Sequence, residues 1–168
     1  MRPDDVESSV NDAMEMLSNG VAIHKILNHL VHTAEKVIGG ESVSSILVLD
    51  KDGLLRNGAS PHLPYDYLTA IDGLKPSPHV GTCAAAAATG SLVITPDFYA
   101  DDKWAELRHL PLALGFFSAW SVPIKTKEGK VLGTFGTYFR HKRQPRQTDI
   151  DAVNSLAEVA AAALDGGR

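Results

Sequence analysis

The residues best placed to do chemistry are gathered in one stretch. Gly81-Thr82-Cys83 opens a run of five alanines, Ala84 to Ala88. At the start of such an alanine-rich helix the first backbone N–H groups have no internal partner, and the helix dipole favours negative charge. Buried beneath a loop, this arrangement binds an anion or a carboxylate. Alternatively, Thr82 caps the helix and water or the loop satisfies the other amides. Val80, Gly81, Thr82 and Cys83 are therefore candidate ligand-binding residues, and His79 just before them either donates to the anion or faces solvent. Further along, Asp97 beside Pro96 can orient a ligand amine or cap a helix starting near Asp101. Phe98, Tyr99, Trp104, Trp120, Phe135 and Tyr138 offer apolar walls. Trp104, in a polar stretch after Asp101-Asp102, is the better pocket candidate. Trp120 lies at strand spacing, where it either lines the site or joins Phe135 and Phe139 in plain core.

Other chemistries find little support. The seven histidines are His24, His29, His32, His62, His79, His109 and His141. His29 and His32 are three apart on one helix, but no matching carboxylate completes a metal set, so a polar helix face is expected for them. There is no nucleophile paired with a base and no Walker-type phosphate loop. Cys83 is the single cysteine. It cannot form an internal disulfide or a Cys-based zinc site, which points to a reducing, cytoplasmic compartment. Neither a metal nor a cofactor is expected.

The elements that must position these residues read as follows. Ile26, Leu27, Leu30, Val31, Ala34, Val37 and Ile38 keep the spacing of one helical face from Ile23 onward, until Gly39-Gly40 stops it. A weaker helix uses Val6, Val10, Ala13 and Leu17 and breaks near Asn19-Gly20. At the other end Thr148 can cap a helix that buries Ile150, Val153, Ala157, Ala160 and Leu164. Between them lie two hairpins: 45–49 turning at Asp52-Gly53 into 54–56, and 119–124 turning at Glu128-Gly129 into 131–139. A short strand, 92–94, follows the alanine helix, and the proline-rich stretch 60–78 holds one short helix around 65–68. Antiparallel hairpins with helices at the ends predict an α+β domain, with the terminal helices on one face of the sheet. The central segment then closes the other face and leaves a place for a pocket.

Composition is consistent with this. The chain has 168 residues, 44 % hydrophobic and 21 % charged. Surface scaling predicts that about 70 % of the unfolded chain's surface is buried on folding, enough for a core without staples. The formal net charge of −4 argues against a nucleic-acid binder. Charge is uneven, with Arg140-His141-Lys142-Arg143 and Arg146 forming a basic cluster that either docks an acidic partner or is a solvated turn. The N-terminus lacks an apolar signal region, and no run approaches the 18 apolar residues or so that a membrane helix needs.

The string Gly81-Thr82-Cys83-Ala84-Ala85-Ala86, then Asp97, Trp104, the block Ala119-Trp120-Ser121-Val122-Pro123-Ile124 and Gly129-x-Val131-Leu132-Gly133-Thr134-Phe135 resemble the GAF sensory domain. Asp52-Gly53-x-Leu55 and Ala59-Ser60-Pro61-x-Leu63-Pro64-x-x-Tyr67 match the same pattern, and the resemblance runs from about 20 to 165. It gives residues 1–20 as an N-terminal helical extension and 21–165 as the GAF domain. It implies a PAS-like fold with a central antiparallel sheet, a small-molecule pocket under the central loops, and terminal helices that pair two chains. The position after Cys83 is usually glycine in such sequences and is Ala84 here, which puts in doubt close backbone approach at that turn. The implied function is non-catalytic sensing of a small anion or small organic acid, signalling as a homodimer to a sensor kinase or other partner. The chain is similar to short nitrate-sensing GAF proteins, and its last residues, Leu164 to Arg168, favour a stand-alone protein. The cyclic-nucleotide signature Asn-Lys-x-Phe-Asp-Glu is absent, and Cys83 does not match a bilin-attachment cysteine. Two alternatives remain. One is a reductase of free methionine sulfoxide, in which Cys83 matches one cysteine of the family and the others have no counterpart. The other is a dimerisation module with a vestigial pocket, built on the alanine stripe of the last helix.

Overall fold

In a computed structural model, residues 3–166 are described. Helices α1 (Pro3–Ser18) and α2 (Ile23–Ile38) form where the apolar spacing predicts. All seven periodic residues of α2, from Ile26 to Ile38, are buried. Burying each large aliphatic side chain is worth about 1.5–3 kcal/mol relative to exposure. Gly39 ends the helix at φ +67°, a region that disfavours side chains, and its N–H reaches Glu35 O at 2.9 Å.

The five strands are β1 (Val43–Leu49), β2 (Leu55–Ala59), β3 (Val93–Thr95), β4 (Ser118–Lys125) and β5 (Val131–Phe139), in the order β2-β1-β5-β4-β3. Every neighbouring pair is antiparallel. The connections hold α3 (Tyr65–Ile71), α4 (Cys83–Thr89), a 3-10 turn at Asp102–Trp104 and α5 (His109–Ala113), and α6 (Gln147–Gly166) closes the chain. This is the α+β architecture expected, with β1, β2 and β4 longer than the sequence marks.

Register sorts the side chains onto two faces, because directly paired residues share one. Ile46, Val122 and Phe135 are paired across β1, β4 and β5. With Trp120, Ile124 and Phe139 they form one core cluster under α1, α2 and α6. Leu47 pairs with Thr134, Ser121 with Gly136, and Ala119 with Tyr138 on the opposite face. There Leu47, Tyr67, Ala84, Phe98, Trp104, Phe116 and Tyr138 form the second cluster.

Three expectations change at the last helix and its approach. Thr148 does not cap α6; it is exposed inside the first turn. Instead the fully buried Asp149 reaches back to accept the Arg146 backbone N–H at 3.0 Å, half of a capping box. The alanine stripe invoked for pairing chains is covered within this one, since Ala157, Ala160, Ala161 and Ala163 are buried in the cluster shared with α1 and α2. The basic cluster is largely engaged as well. Arg146 and Arg143 pair with Asp149, Arg143 lies 4.1 Å over the Phe139 ring, and Arg140 lies 4.7 Å over Phe116 while donating to Leu114 O. Lys142 meets Asp97 at 3.3 Å.

Candidate functional site

The chain turns into α4 at Gly81, whose φ of +64° suits glycine, and the Gly81 N–H is held by Lys103 O at 2.8 Å. That bond brings the 3-10 turn alongside the start of α4. Trp104 is accordingly buried, 4.6 Å edge-on to Phe98, and donates its indole N–H to Thr82 Oγ1 at 2.8 Å. Thr82 Oγ1 also shares a 2.8 Å hydrogen bond with Thr95 Oγ1. Thr82 is therefore an anchor between α4, β3 and the turn, and its side chain makes no cap bond. The first α4 amide with a backbone partner is that of Ala86, to Thr82 O at 3.0 Å. The amides before it have no partner inside the helix.

Cys83 begins α4 and points at the sheet. A Cβ placed on Gly136 would lie 2.9 Å from Cys83 Sγ, so glycine in β5 makes room for the thiol. Burial pushes the Cys83 thiol up, and the Ser121 and Thr134 hydroxyls beside it draw it partly back. Ser121 donates to Phe135 O at 3.4 Å. Thr134 Oγ1 is buried with no partner of good hydrogen-bond geometry. Nearby, the phenols of Tyr67 and Tyr138 are 2.7 Å apart, and burial pushes both well above the usual tyrosine range. Half-buried leucines, among them Leu68, Leu107, Leu110 and Leu114, rim this layer.

The structure thus brings Val80, Gly81, Thr82, Cys83 and Trp104 together at the start of α4. His79 is one residue away and exposed, its N–H on Ser77 Oγ. Asp97 is not part of this group: it accepts the Tyr99 N–H at 2.9 Å and pairs with Lys142. Asp101, not Asp97, caps the 3-10 turn. Burial alone would raise its carboxyl, but hydrogen bonds from the Lys103 side chain and backbone more than reverse this and hold it low. Trp120 is on the opposite face, buried beneath the terminal helices with Nε1 unpartnered, because its strand parity follows Val122 and not Ser121. The groups that the sequence reading missed are Ser121, Thr134 and Tyr67. Strand alternation from Tyr138 to Thr134, and across to Ser121, is the signal that finds the two hydroxyls; Tyr67, on α3, has no such signal.

Elsewhere, a groove of about 750 Å³ opens between α6 and the β4–β5 hairpin, lined by Lys125, Lys127, Glu128, Asn154, Glu158 and Asp165. It is on the terminal-helix side and mixes charges, and Lys125 on its rim donates to Gly90 O at the far end of α4 at 2.9 Å. His32, Glu35 and His62 form the one His/Cys/Asp/Glu group among the described residues whose atoms are close enough to hold a metal ion. No described helix is long and apolar enough to cross a membrane.

Comparison with known proteins bears on this geometry. The family described as the GAF domain matches residues 21–165. The chain is 31 % identical over 158 residues to the methyl sulfide methyltransferase-associated sensor of Methanosarcina acetivorans, covering 94 % of this chain and 16 % of that protein. Among solved structures, the GAF domain of a phosphoenolpyruvate-protein phosphotransferase from Coxiella burnetii superposes with a TM-score of 0.77 at 13 % identity, covering 100 % of this chain and 97 % of that one. The free methionine-R-sulfoxide reductase of Neisseria meningitidis, in complex with its substrate, gives 0.71 at 15 % identity, covering 100 % and 94 %. At these identities the two structures establish the fold alone.

Proposed function

Because the chain belongs to the GAF domain family, we propose that it is a non-catalytic sensor domain of signal transduction that binds a small ligand between α4 and the sheet. The observation that carries this is Thr134: a buried hydroxyl with no partner of good hydrogen-bond geometry, beside Cys83 and Ser121, on the face that α4 covers. An unpaired buried polar group costs about 1–3 kcal/mol. A ligand atom that accepts from or donates to it removes that cost.

The chemistry of the surroundings narrows the ligand class. The polar groups there are neutral: the hydroxyls of Ser121 and Thr134, the Cys83 thiol, the two phenols and the first amides of α4. Burying a doubly charged anion with no cation beside it is unfavourable. A singly charged anion such as nitrate or a small carboxylate, or a small neutral polar molecule, suits neutral donors. The experiment is a thermal-shift panel with nitrate, nitrite, formate, small carboxylates, amino acids, methionine sulfoxide, sulfate and phosphate. A ligand at 100 times its Kd adds about 2.7 kcal/mol, which raises Tm by about 5–10 °C for this size. A shift with a monoanion that disappears in Thr134→Val is the expected result. Shifts only with phosphate or sulfate, or shifts unaffected by Thr134→Val, overturn this reading.

The response leaves through α1, α2 and α6, which pack on the other face, and a sensor kinase or another signalling protein receives it. Pairing of two chains would use the sides that remain exposed, with Glu7, Asn11 and Met14 on α1 and Asn154 and Glu158 on α6. The reductase alternative has weaker support. A sulfenate formed on Cys83 has no second cysteine in this sequence to resolve it, and a raised thiol pKa disfavours the nucleophilic thiolate.

A further inference from the structure

We propose that His32, Glu35 and His62 form a binding site for an imidazole-preferring divalent metal ion, Zn2+ being the first to test, which fastens α2 to the segment leading into α3. His32 and Glu35 are three apart on α2 and so share one side of the helix. His62 arrives from the loop between β2 and α3. His62 Nδ1 is 2.7 Å from Glu35 Oε1, and His32 Nδ1 is 4.0 Å from the same oxygen. All three ligand atoms are within 4.8 Å of one another.

A hydrogen-bonded His62–Glu35 pair accounts for two of these residues but not for a second imidazole aimed at the same oxygen. A tetrahedral ion with bonds of about 2.0–2.2 Å places its ligand atoms about 3.3–3.5 Å apart. The 2.7 Å separation must open and the 4.0 Å separation close, each by about 0.6 Å. Both rings are more than half exposed and meet edge to face at 5.6 Å, so small rotations suffice. Glu35 is different: its side chain is only 11 % exposed and its second oxygen accepts the Ser44 N–H at 3.0 Å. That bond fixes the carboxylate and leaves Oε1 for the ion, the outer-shell support that metal carboxylates need. Two imidazoles and one carboxylate suit zinc, nickel or copper rather than calcium or magnesium, and solvent supplies the fourth ligand.

The location gives such an ion a consequence. His62 is followed by the buried Leu63, and α3 carries Tyr67, whose hydroxyl bonds Tyr138 on the ligand face. A bound ion therefore ties the signalling helix α2 to the cover of the other face. This inference does not depend on the identity of the ligand proposed above.

The test uses the untagged full chain, stripped with EDTA. Titration with Zn2+ by calorimetry, and with Co2+ by the visible bands of tetrahedral cobalt, is expected to give one equivalent per chain. His32→Ala and His62→Ala should each weaken binding at least about tenfold, while His109→Ala leaves it unchanged. Both ligand variants are surface changes, and circular dichroism checks that they fold. Zinc should also slow amide exchange across residues 60–71. No stoichiometric binding, binding insensitive to either histidine, or loss equally from His109→Ala overturns the site. Binding without slower exchange at 60–71 overturns the fastening role.

Discussion

Thr134 and Cys83 make opposite demands on the same few ångströms, and each yields a prediction. Thr134→Val keeps the shape of the side chain and removes a buried hydroxyl that has no partner of good hydrogen-bond geometry. In the unliganded protein this change should be neutral or stabilising by up to about 1 kcal/mol in urea unfolding. A purely structural hydroxyl would instead give a clear loss. Cys83 has a folded pKa raised by burial above the ordinary 9.0. Its contribution to stability is therefore fully present below 9.0 and is lost as pH rises through the folded value. Tyr67 and Tyr138 act in the same direction. At neutral pH the thiol should react with a disulfide reagent far more slowly in the folded chain than in urea-unfolded chain, and Tm should fall on the alkaline side. Equal rates in the two states would contradict the packing of this half-buried thiol against the sheet. At this scale Cys83 and Trp104 were legible, since a lone thiol at a helix start and a tryptophan after two aspartates stand out in a sequence. Thr134 was not, because nothing in one strand says that a threonine lacks a partner; only the packed neighbours decide it.

Among the elements, α6 shows how a local rule yields to packing. Thr148 has the side chain of a cap, but Asp149 is one position deeper, where its carboxylate meets the Arg146 backbone and side chain at 3.0 Å and Arg143 at 3.4 Å. Arg146 also reaches Ile38 O at 3.5 Å, so this acid links the start of α6 to the end of α2. Removing one partner of a buried ion pair costs about 3–5 kcal/mol. Arg146 is 58 % exposed and can rehydrate. Asp149→Asn should therefore cost less, about 2–3 kcal/mol, and Thr148→Ala close to nothing. Chemical denaturation of the two variants checks the order, and a larger loss from Thr148→Ala would reverse the assignment. The long helices and both hairpins were readable from periodicity and turn glycines. Where the alanines of α6 would pack was not, because a small-residue stripe looks the same whether its partner is another chain or, as with Ala160 and Ala163, α1 and α2 of its own.

At the scale of the whole molecule the sheet divides two unlike layers. On one side α2 and α6, of 16 and 20 residues, pack continuously against β1, β4 and β5. On the other, α3, α4 and α5 have seven, seven and five residues, joined by loops and rimmed by half-buried leucines. Helices this short have little stability of their own and depend on what they cover. Local opening is easiest where buried apolar contacts are fewest. The sequence predicted both layers but not their inequality, which arises from how many side chains each buries, as with seven residues of α2 against two of α3. A sensor built this way should respond on its looser side. Amide exchange in the unliganded chain should be fast across 60–82 and 97–115, and slow in α2, α6 and the three central strands. A ligand on the α4 face should slow exchange around 81–104, where Gly81 is held by Lys103, Lys103 by Asp101, and Thr82 by Trp104. A change it then causes at α1 or α6 has a direct route through β5, where Thr134 faces the α4 layer and Phe135 the terminal helices. Altered exchange in α6 on ligand binding, lost in Thr134→Val, would trace that route; protection confined to 81–104 would leave the terminal helices outside the response.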